Sequence, residues 1–272
     1  MARTSDPSPS IPAVKTRRLG GALLRNLAGA GGLFMPPVCL HCEGRRWRGT
    51  PLCLSCLRHL DRLTGPVCAR CGLPDCAEDH GAWVHPFSST RFLFKVTPEL
   101  TTVVHGFKYR HMRRHIAFLG AYLRYRPDLQ DHIRGFDALL PVPLHAVRRR
   151  ERGYNQAEEI ATSMGRMTGV PVLAKELRRI RETGTQTALG RDGRQRNLGG
   201  AFACPSPERL RGKRILLVDD VYTTGATAAA CAEALRKAGC AEIGVVALGI
   251  VKADTAGDDF VKEMEALAGY LV

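Results

Sequence analysis

Ile215-Leu216-Leu217-Val218-Asp219-Asp220-Val221-Tyr222-Thr223-Thr224-Gly225-Ala226-Thr227 is the stretch that decides the fold. Ile215 to Val218 is a continuous apolar run, which predicts a strand buried on both faces. Two carboxylates follow at its C-terminal end, where ligands bind in open α/β sheets. Three threonines and a glycine then lead into an Ala-rich helix, predicted over Gly225 to Ala238 with Gly239 as its C-cap. The unpaired N–H groups and the dipole of a helix N-terminus make an anion site. Gly225 lets the backbone approach closely. Hydroxyls of Thr223, Thr224 and Thr227 can donate to phosphate oxygens, and ionised Asp219 and Asp220 only accept, which suits a ribose cis-diol. A turn-forming Asp and a capping Thr would account for one acid and one threonine, but not for two acids followed by Thr-Thr-Gly-x-Thr. A Walker-type phosphate loop is excluded, because no lysine follows the glycine.

Outward from this stretch the pattern alternates. Ile243 to Leu248 is a second buried strand, and Ala138 to Val142 a third that ends in turn residues. Asn155 to Met167 reads as a helix, with Ile160, Met164 and Met167 at helical spacing. Strand, helix and strand joined by short links form a βαβ unit, hence an α/β fold with a parallel sheet flanked by helices. Asp258 to Leu271 reads as a closing amphipathic helix, with Phe260, Met264, Leu267 and Leu271 on one stripe.

The chain has 272 residues, 44% of them apolar and 6% aromatic, with a formal net charge of +14. The apolar fraction is enough for a core, and the charge favours anionic partners such as phosphates or nucleic acid. No apolar run approaches the length of a membrane span, and Arg25 and Asn26 interrupt the mildly apolar Leu19 to Leu33. Residues 1–35 therefore read as a Ser/Pro-rich disordered tail, to about Lys15, followed by a short helix.

Seven of the ten cysteines fall between Cys39 and Cys76. Cys39-x2-Cys42-x10-Cys53-x2-Cys56 is two knuckles, each presenting both sulfurs to one point, and together they complete a tetrahedron around zinc. Such crowding points to a metal in a reducing compartment, so the cytoplasm is expected. Residues 36–85 show little periodicity and need a metal to hold them. Cys68-x2-Cys71 is a third knuckle, followed by Cys76 and then His80 or His85. Either Cys68, Cys71, Cys76 and His80 bind a second zinc or that site has been lost. Crossed pairing, Cys39/Cys42 with Cys68/Cys71, also stays open. Sites closed by four ligands are structural. Cys204, Cys231 and Cys240 read as plain core or surface thiols.

Two basic stretches lie between the strands. Pro141-Val142-Pro143-Leu144 is followed by Arg148-Arg149-Arg150-Glu151-Arg152-Gly153-Tyr154-Asn155-Gln156, whose four arginines want an external polyanion. Arg181-Glu182-Thr183-Gly184-Thr185-Gln186-Thr187-Ala188-Leu189, with Arg191, Arg194, Arg196 and Asn197, is polar and basic, and reads equally as a lid over an anionic ligand or as a flexible loop.

The thirteen-residue stretch resembles the ribose-phosphate signature of type I phosphoribosyltransferases. That resemblance implies that Asp219 and Asp220 hold the ribose hydroxyls as the catalytic pair. It also implies that Val221, Thr223, Thr224, Gly225, Ala226 and Thr227 cradle the 5-phosphate. Pro-x-Pro, Arg-Gly-Tyr-Asn-Gln, Thr-Gln-x-x-Leu with Arg-x-x-Arg-x-Arg-Asn, and this signature, in that order, resemble the ComF family, as does His105-Gly106-Phe107-Lys108-Tyr109. The resemblance covers most of residues 36–250. It implies a type I phosphoribosyltransferase-like domain over 86–272 behind a zinc ribbon, single or double, over 36–85. Its ligand would be 5-phosphoribosyl diphosphate with Mg²⁺, and its zinc structural. Val142, Pro143, Leu144, Lys108, Arg152, Arg194 and Arg196 would meet pyrophosphate.

Members of this family are bacterial, and several are linked to uptake of transforming DNA, so a competence helicase or other DNA-uptake proteins become candidate partners. Two functions stay open. One is pentosyl transfer to an unnamed nitrogen acceptor with release of pyrophosphate, as in nucleotide salvage. The other is a nucleic-acid module that keeps the ribose-phosphate pocket. Net charge and arginine runs fit single-stranded DNA, although Tyr109, Tyr154 and Trp47 are few stacking platforms.

Overall fold

The computed structural model describes residues 38–46, 49–63, 65–74, 76, 87–109, 118, 122–181 and 199–251. The predicted N-terminal tail and helix, Trp47, His80 and the helix predicted over 258–271 lie outside them, as do the side chains of Lys108 and Tyr109.

Four strands form one parallel sheet: β1 (Ser89–Lys95), β2 (Ala138–Pro141), β5 (Arg214–Tyr222) and β6 (Glu242–Ile250), in the spatial order β1-β6-β5-β2. α1 (Leu54–Arg58) precedes them, and between them run α2 (Pro98–Tyr109), α3 (Pro127–Arg134), α4 (Ala146–Arg152), α5 (Gln156–Thr168) and α6 (Ala226–Lys237). A small antiparallel pair, β3 (Arg178–Arg179) with β4 (Phe202–Ala203), stands apart from the sheet. The α/β architecture expected from the sequence, a parallel sheet flanked by helices, is the one observed.

Alternation along the central strands divides the core into two layers. Leu139, Leu216, Val218, Val246 and Leu248 face one side and pack with Leu100, Val104 and Phe107 of α2, Ile133 of α3, and Ile160 and Met164 of α5. Leu140, Ile215, Leu217, Val245 and Ala247 face the other and meet Cys231, Ala232 and Leu235 of α6. The apolar run Ile215 to Val218 is wholly buried because helices cover both faces.

Both lateral edges of the sheet are covered. On the β2 side, Leu139 N–H donates to Pro171 at 2.8 Å and its carbonyl accepts from Leu173 N–H at 2.9 Å. On the β1 side, the cysteine-rich segment does the same work. Lys95 N–H donates to the Asp61 carbonyl at 2.8 Å, Leu63 N–H to Leu93 at 3.1 Å and Thr90 N–H to Arg70 at 2.9 Å. Edge strands left bare would template pairing with other chains. Cys39, Leu52, Cys56 and Leu60 also join the first core layer, so the cysteine segment and the sheet share one hydrophobic cluster.

Several boundaries differ from the sequence expectation, two of them at the candidate site. β5 continues through Asp219 and Asp220 to Tyr222, because β6 offers partners along that whole length. α6 starts at Ala226 with Gly225 as its N-cap, and its C-cap is Ala238, one residue earlier than expected.

His132 of α3 packs edge-on against Phe136, ring centroids 5.4 Å apart. Burial, with the nearby Arg91 charge, pushes its imidazole from 6.5 down to about 4. The unfolded chain therefore binds a proton here between those values that the native state refuses. This contribution to stability is complete above pH 6.5 and is lost as pH falls towards 4. We expect His132→Gln, which cannot protonate, to flatten the slope of the urea midpoint across that window. An unchanged slope would assign the acid sensitivity to other groups.

Candidate anion site and metal centre

The candidate site lies where strand lengths are unequal. β2 pairs with β5 only as far as Pro141 opposite Val218, and Val142 N–H then donates to the Val218 carbonyl at 2.9 Å. On the other flank β6 keeps pairing, with Ala247 opposite Asp219, Gly249 opposite Val221 and Ile250 opposite Tyr222. Asp219 and Asp220 thus sit on a strand whose β2 flank has ended, which is where ligands bind in such sheets. Asp219 Oδ1 accepts from Asp220 N–H at 2.8 Å, and Asp220 Oδ1 accepts from Val221 N–H at 2.7 Å. These bonds fix both half-buried carboxylates against the backbone. Tyr222 turns inward and packs on Phe92, ring centroids 5.2 Å apart.

The turn that follows is shaped for an anion. Thr223 is exposed and Thr224 half-buried, with its Oγ1 accepting from Ala226 N–H at 3.4 Å. Gly225 adopts φ 73°, a left-handed conformation that a side chain would strain. α6 is held in place by its buried face, Ala228, Cys231, Ala232 and Leu235, so its first-turn N–H groups and Thr227 are fixed relative to the two acids.

Of the other residues read as anion ligands, Val142 is buried and Pro143 and Leu144 are half-buried in the loop directly after β2. Arg152 ends α4, its Nη1 3.5 Å from Gln156 Oε1. The arginine run is partly neutralised within the chain, since Arg149 Nη2 meets Glu158 Oε2 at 3.1 Å. Lys108 lies in the last turn of α2. Arg194 and Arg196 lie outside the described residues. The segment that carries them springs from the β3–β4 pair, extended by Ile180 N–H to the Ala201 carbonyl at 2.8 Å.

The cysteines gather in two groups. Cys39, Cys42, Cys53 and Cys56 bring their sulfurs within 4.8 Å of one another, and Cys68, Cys71 and Cys76 do likewise. The crossed pairing is not the observed one. Cys42 and Cys53 sulfurs are 3.6 Å apart, close to the about 3.8 Å edge of a tetrahedron with zinc–sulfur bonds of 2.3 Å. Burial raises the Cys39 thiol, but backbone hydrogen bonds at Cys42, Cys53 and His41 hold it down at about 7. Burial, and then the sulfurs of Cys42, Cys53 and Cys39, push the Cys56 thiol well up. In the second group a hydrogen bond with Cys71, and then burial, push Cys76 up to about 12. Sulfurs crowded in this way cannot all ionise unless a cation joins them, and zinc fits that need. The first group offers the four thiolates of a structural zinc site, and the second offers three among the described residues.

The knuckles are tied to the sheet by contacts that carry no motif in the sequence. Arg91 Nη1 donates to the carbonyls of Thr90 at 2.8 Å, Ala69 at 2.9 Å and Cys68 at 3.3 Å. Glu99 of α2 lies between His59, at 3.5 Å, and His41, at 3.9 Å. Gly72 has φ +69° and lies so near β1 that an added Cβ would be 2.3 Å from the Thr90 carbonyl oxygen.

Residues 133–265 match the phosphoribosyl transferase domain family and residues 31–85 the double zinc ribbon domain family. The chain is 30% identical to competence protein F of Haemophilus influenzae over 76% of its own length and 94% of that protein. It is 29% identical to DNA utilization protein YhgH of Salmonella typhi, covering 78% and 96% of the two chains. With competence protein ComFC of Bacillus subtilis the identity is 26%, over 73% and 88%.

Gly72→Ala should displace the second knuckle from β1, at a backbone cost of about 1–3 kcal/mol. We expect elemental analysis of the purified variant to show loss of the second zinc with the first retained. Full zinc content in the variant would mean that this knuckle does not depend on its contact with β1.

Proposed function

The chain belongs to the ComF family, with competence protein F, ComFC and YhgH as relatives, and on that premise we propose that it binds 5-phosphoribosyl diphosphate, or a ribose 5-phosphate unit of nucleic acid, in support of DNA uptake or use. One observation carries this reading: the overrun of β5 past β2 sets two carboxylates beside an anion-binding turn. Asp219 and Asp220 take the ribose hydroxyls, and Val221 with Thr223 to Thr227 takes the 5-phosphate. Val142 to Leu144, Lys108, Arg152, Arg194 and Arg196 take the diphosphate, which carries Mg²⁺ with it. The ribbon (36–85) serves as the edge cover of the phosphoribosyltransferase-like domain (86–272). All ten cysteines are free thiols, in keeping with metal binding in the reducing cytoplasm. Among the described residues no helix is long and apolar enough to cross a membrane.

The names of the relatives favour a role with DNA over salvage of a free base. A net charge of +14 supports single-stranded DNA as the polymer partner, with a competence helicase or other uptake proteins acting alongside.

Calorimetry with 5-phosphoribosyl diphosphate and Mg²⁺ is expected to show binding, weakened roughly a hundredfold or more by Asp219→Asn with Asp220→Asn. Equal binding by that variant would refute the ribose assignment. Single-stranded DNA should bind with an affinity that falls steeply with salt. A flat salt response, or no binding at low salt, would remove DNA as the partner. Pyrophosphate release, screened over free bases and nucleic acids, separates turnover from binding.

A further inference from the structure

The segment Arg152 to Gln156 begins with the last arginine of the basic run. Its last three residues do something else. Tyr154, Asn155 and Gln156 are only 6%, 5% and 2% exposed. A buried polar side chain is costly unless its hydrogen bonds are made, so what these three groups bond to is informative.

Asn155 uses both ends of its amide. Oδ1 accepts from Ala157 N–H at 3.2 Å, capping α5, and Nδ2 donates to the Val142 carbonyl at 3.0 Å. An ionised Asp side chain caps a helix equally well but has no hydrogen to donate outward at the same time. Val142 N–H is already given to Val218, the residue before Asp219. Both backbone polar groups of Val142 are therefore held, one by the strand that carries the acids and one by Asn155. This sets the direction in which Pro143 and Leu144 leave β2.

Tyr154 and Gln156 converge on a different segment. The Tyr154 hydroxyl donates to the Phe107 carbonyl, and Gln156 Nε2 approaches the same oxygen at 3.4 Å. Phe107 lies on α2, and its carbonyl is where the two side chains meet. Lys108 is the next residue. The other end of the Gln156 amide, Oε1, faces Arg152 Nη1 at 3.5 Å.

We propose that Tyr154, Asn155 and Gln156 form a positioning clamp that sets the end of α2, the loop after β2 and Arg152 in register around the crevice beside Asp219. They are positioning residues, which act through Lys108, the Val142–Leu144 loop and Arg152. For its ligand the proposal rests on the function proposed above, and for its geometry it does not.

The test uses the full-length zinc-loaded chain. Amide hydrogen exchange without ligand is expected to quicken in peptides spanning 104–109 for Tyr154→Phe and in peptides spanning 142–146 for Asn155→Asp, with β6 unchanged. With 5-phosphoribosyl diphosphate and Mg²⁺, each variant should bind roughly tenfold more weakly, in the range of directly coupled neighbours. Against a Lys108→Ala background, Tyr154→Phe should have little further effect. A residue that merely supports the fold would lower thermal stability and give additive losses in that cycle. Unchanged exchange in both segments, or full additivity, would overturn the clamp. If the wild-type chain binds no 5-phosphoribosyl diphosphate, the ligand assignment fails, and the exchange measurement still decides the clamp.

Discussion

β6 pairs with β5 as far as Tyr222, whereas β2 stops at Val218, and the candidate site depends on that mismatch. A strand held on both flanks presents its side chains only to the layers above and below. A strand released on one flank while still held on the other keeps its extended form and opens a crevice beside it. Asp219 and Asp220 occupy that stretch, and the turn into α6 follows it directly. The acids and the first-turn amides of α6 are thus rigidly related, because they continue one buried strand and one buried helix face. Preorganisation of this kind lets a small anion be bound without ordering a loop first.

The same sheet explains where the cysteine segment belongs. A four-stranded parallel sheet has two open edges, and here each is covered by main-chain hydrogen bonds from a segment that is not one of its strands. Residues 171–173 cover β2. Residues 61–63 and Arg70 cover β1, and they are held in position by the knuckles on either side. Structural zinc thereby stabilises more than the knuckles. Its binding energy supports the chain that closes the sheet edge, and Cys39 and Cys56 are buried in the same cluster as Phe94 and Val104. Gly72 and Arg91 show how close this contact is. One has no room for a Cβ against Thr90, and the other spends a guanidinium group on three carbonyls at the junction.

The basic helix α4 and the residues after it have divided duties. Arg149 is balanced by Glu158, which tempers the expectation that the whole arginine run waits for an external polyanion. The Tyr-Asn-Gln that follows is buried, and its polar atoms reach two chain segments distant in sequence. A motif that looks like a ligand-binding signature can therefore be an internal tie whose effect on ligand is indirect.

Local chemistry was enough to read much of this from the sequence. The apolar run at Ile215 needs burial on both faces, the Ala-rich run after Gly225 favours a helix, and CxxC spacing puts two sulfurs on one point. None of these depends on a distant partner. Other features required long-range contacts and could not be read that way. The length of β5 past Val218 was set by β6, because a strand extends as far as a neighbour offers hydrogen bonds. The pairing of the knuckles was set by which sulfurs the turns bring within reach. The use of Arg91, Gly72 and Asn155 was set by carbonyls at Cys68, Thr90 and Val142 that no spacing rule connects to them. The sequence by itself determined the strand–turn–helix that carries the two acids and the presence of metal knuckles. Only the tertiary structure decided that the knuckles close the sheet, and that the crevice opens where β2 ends, since both depend on backbone groups finding partners far along the chain.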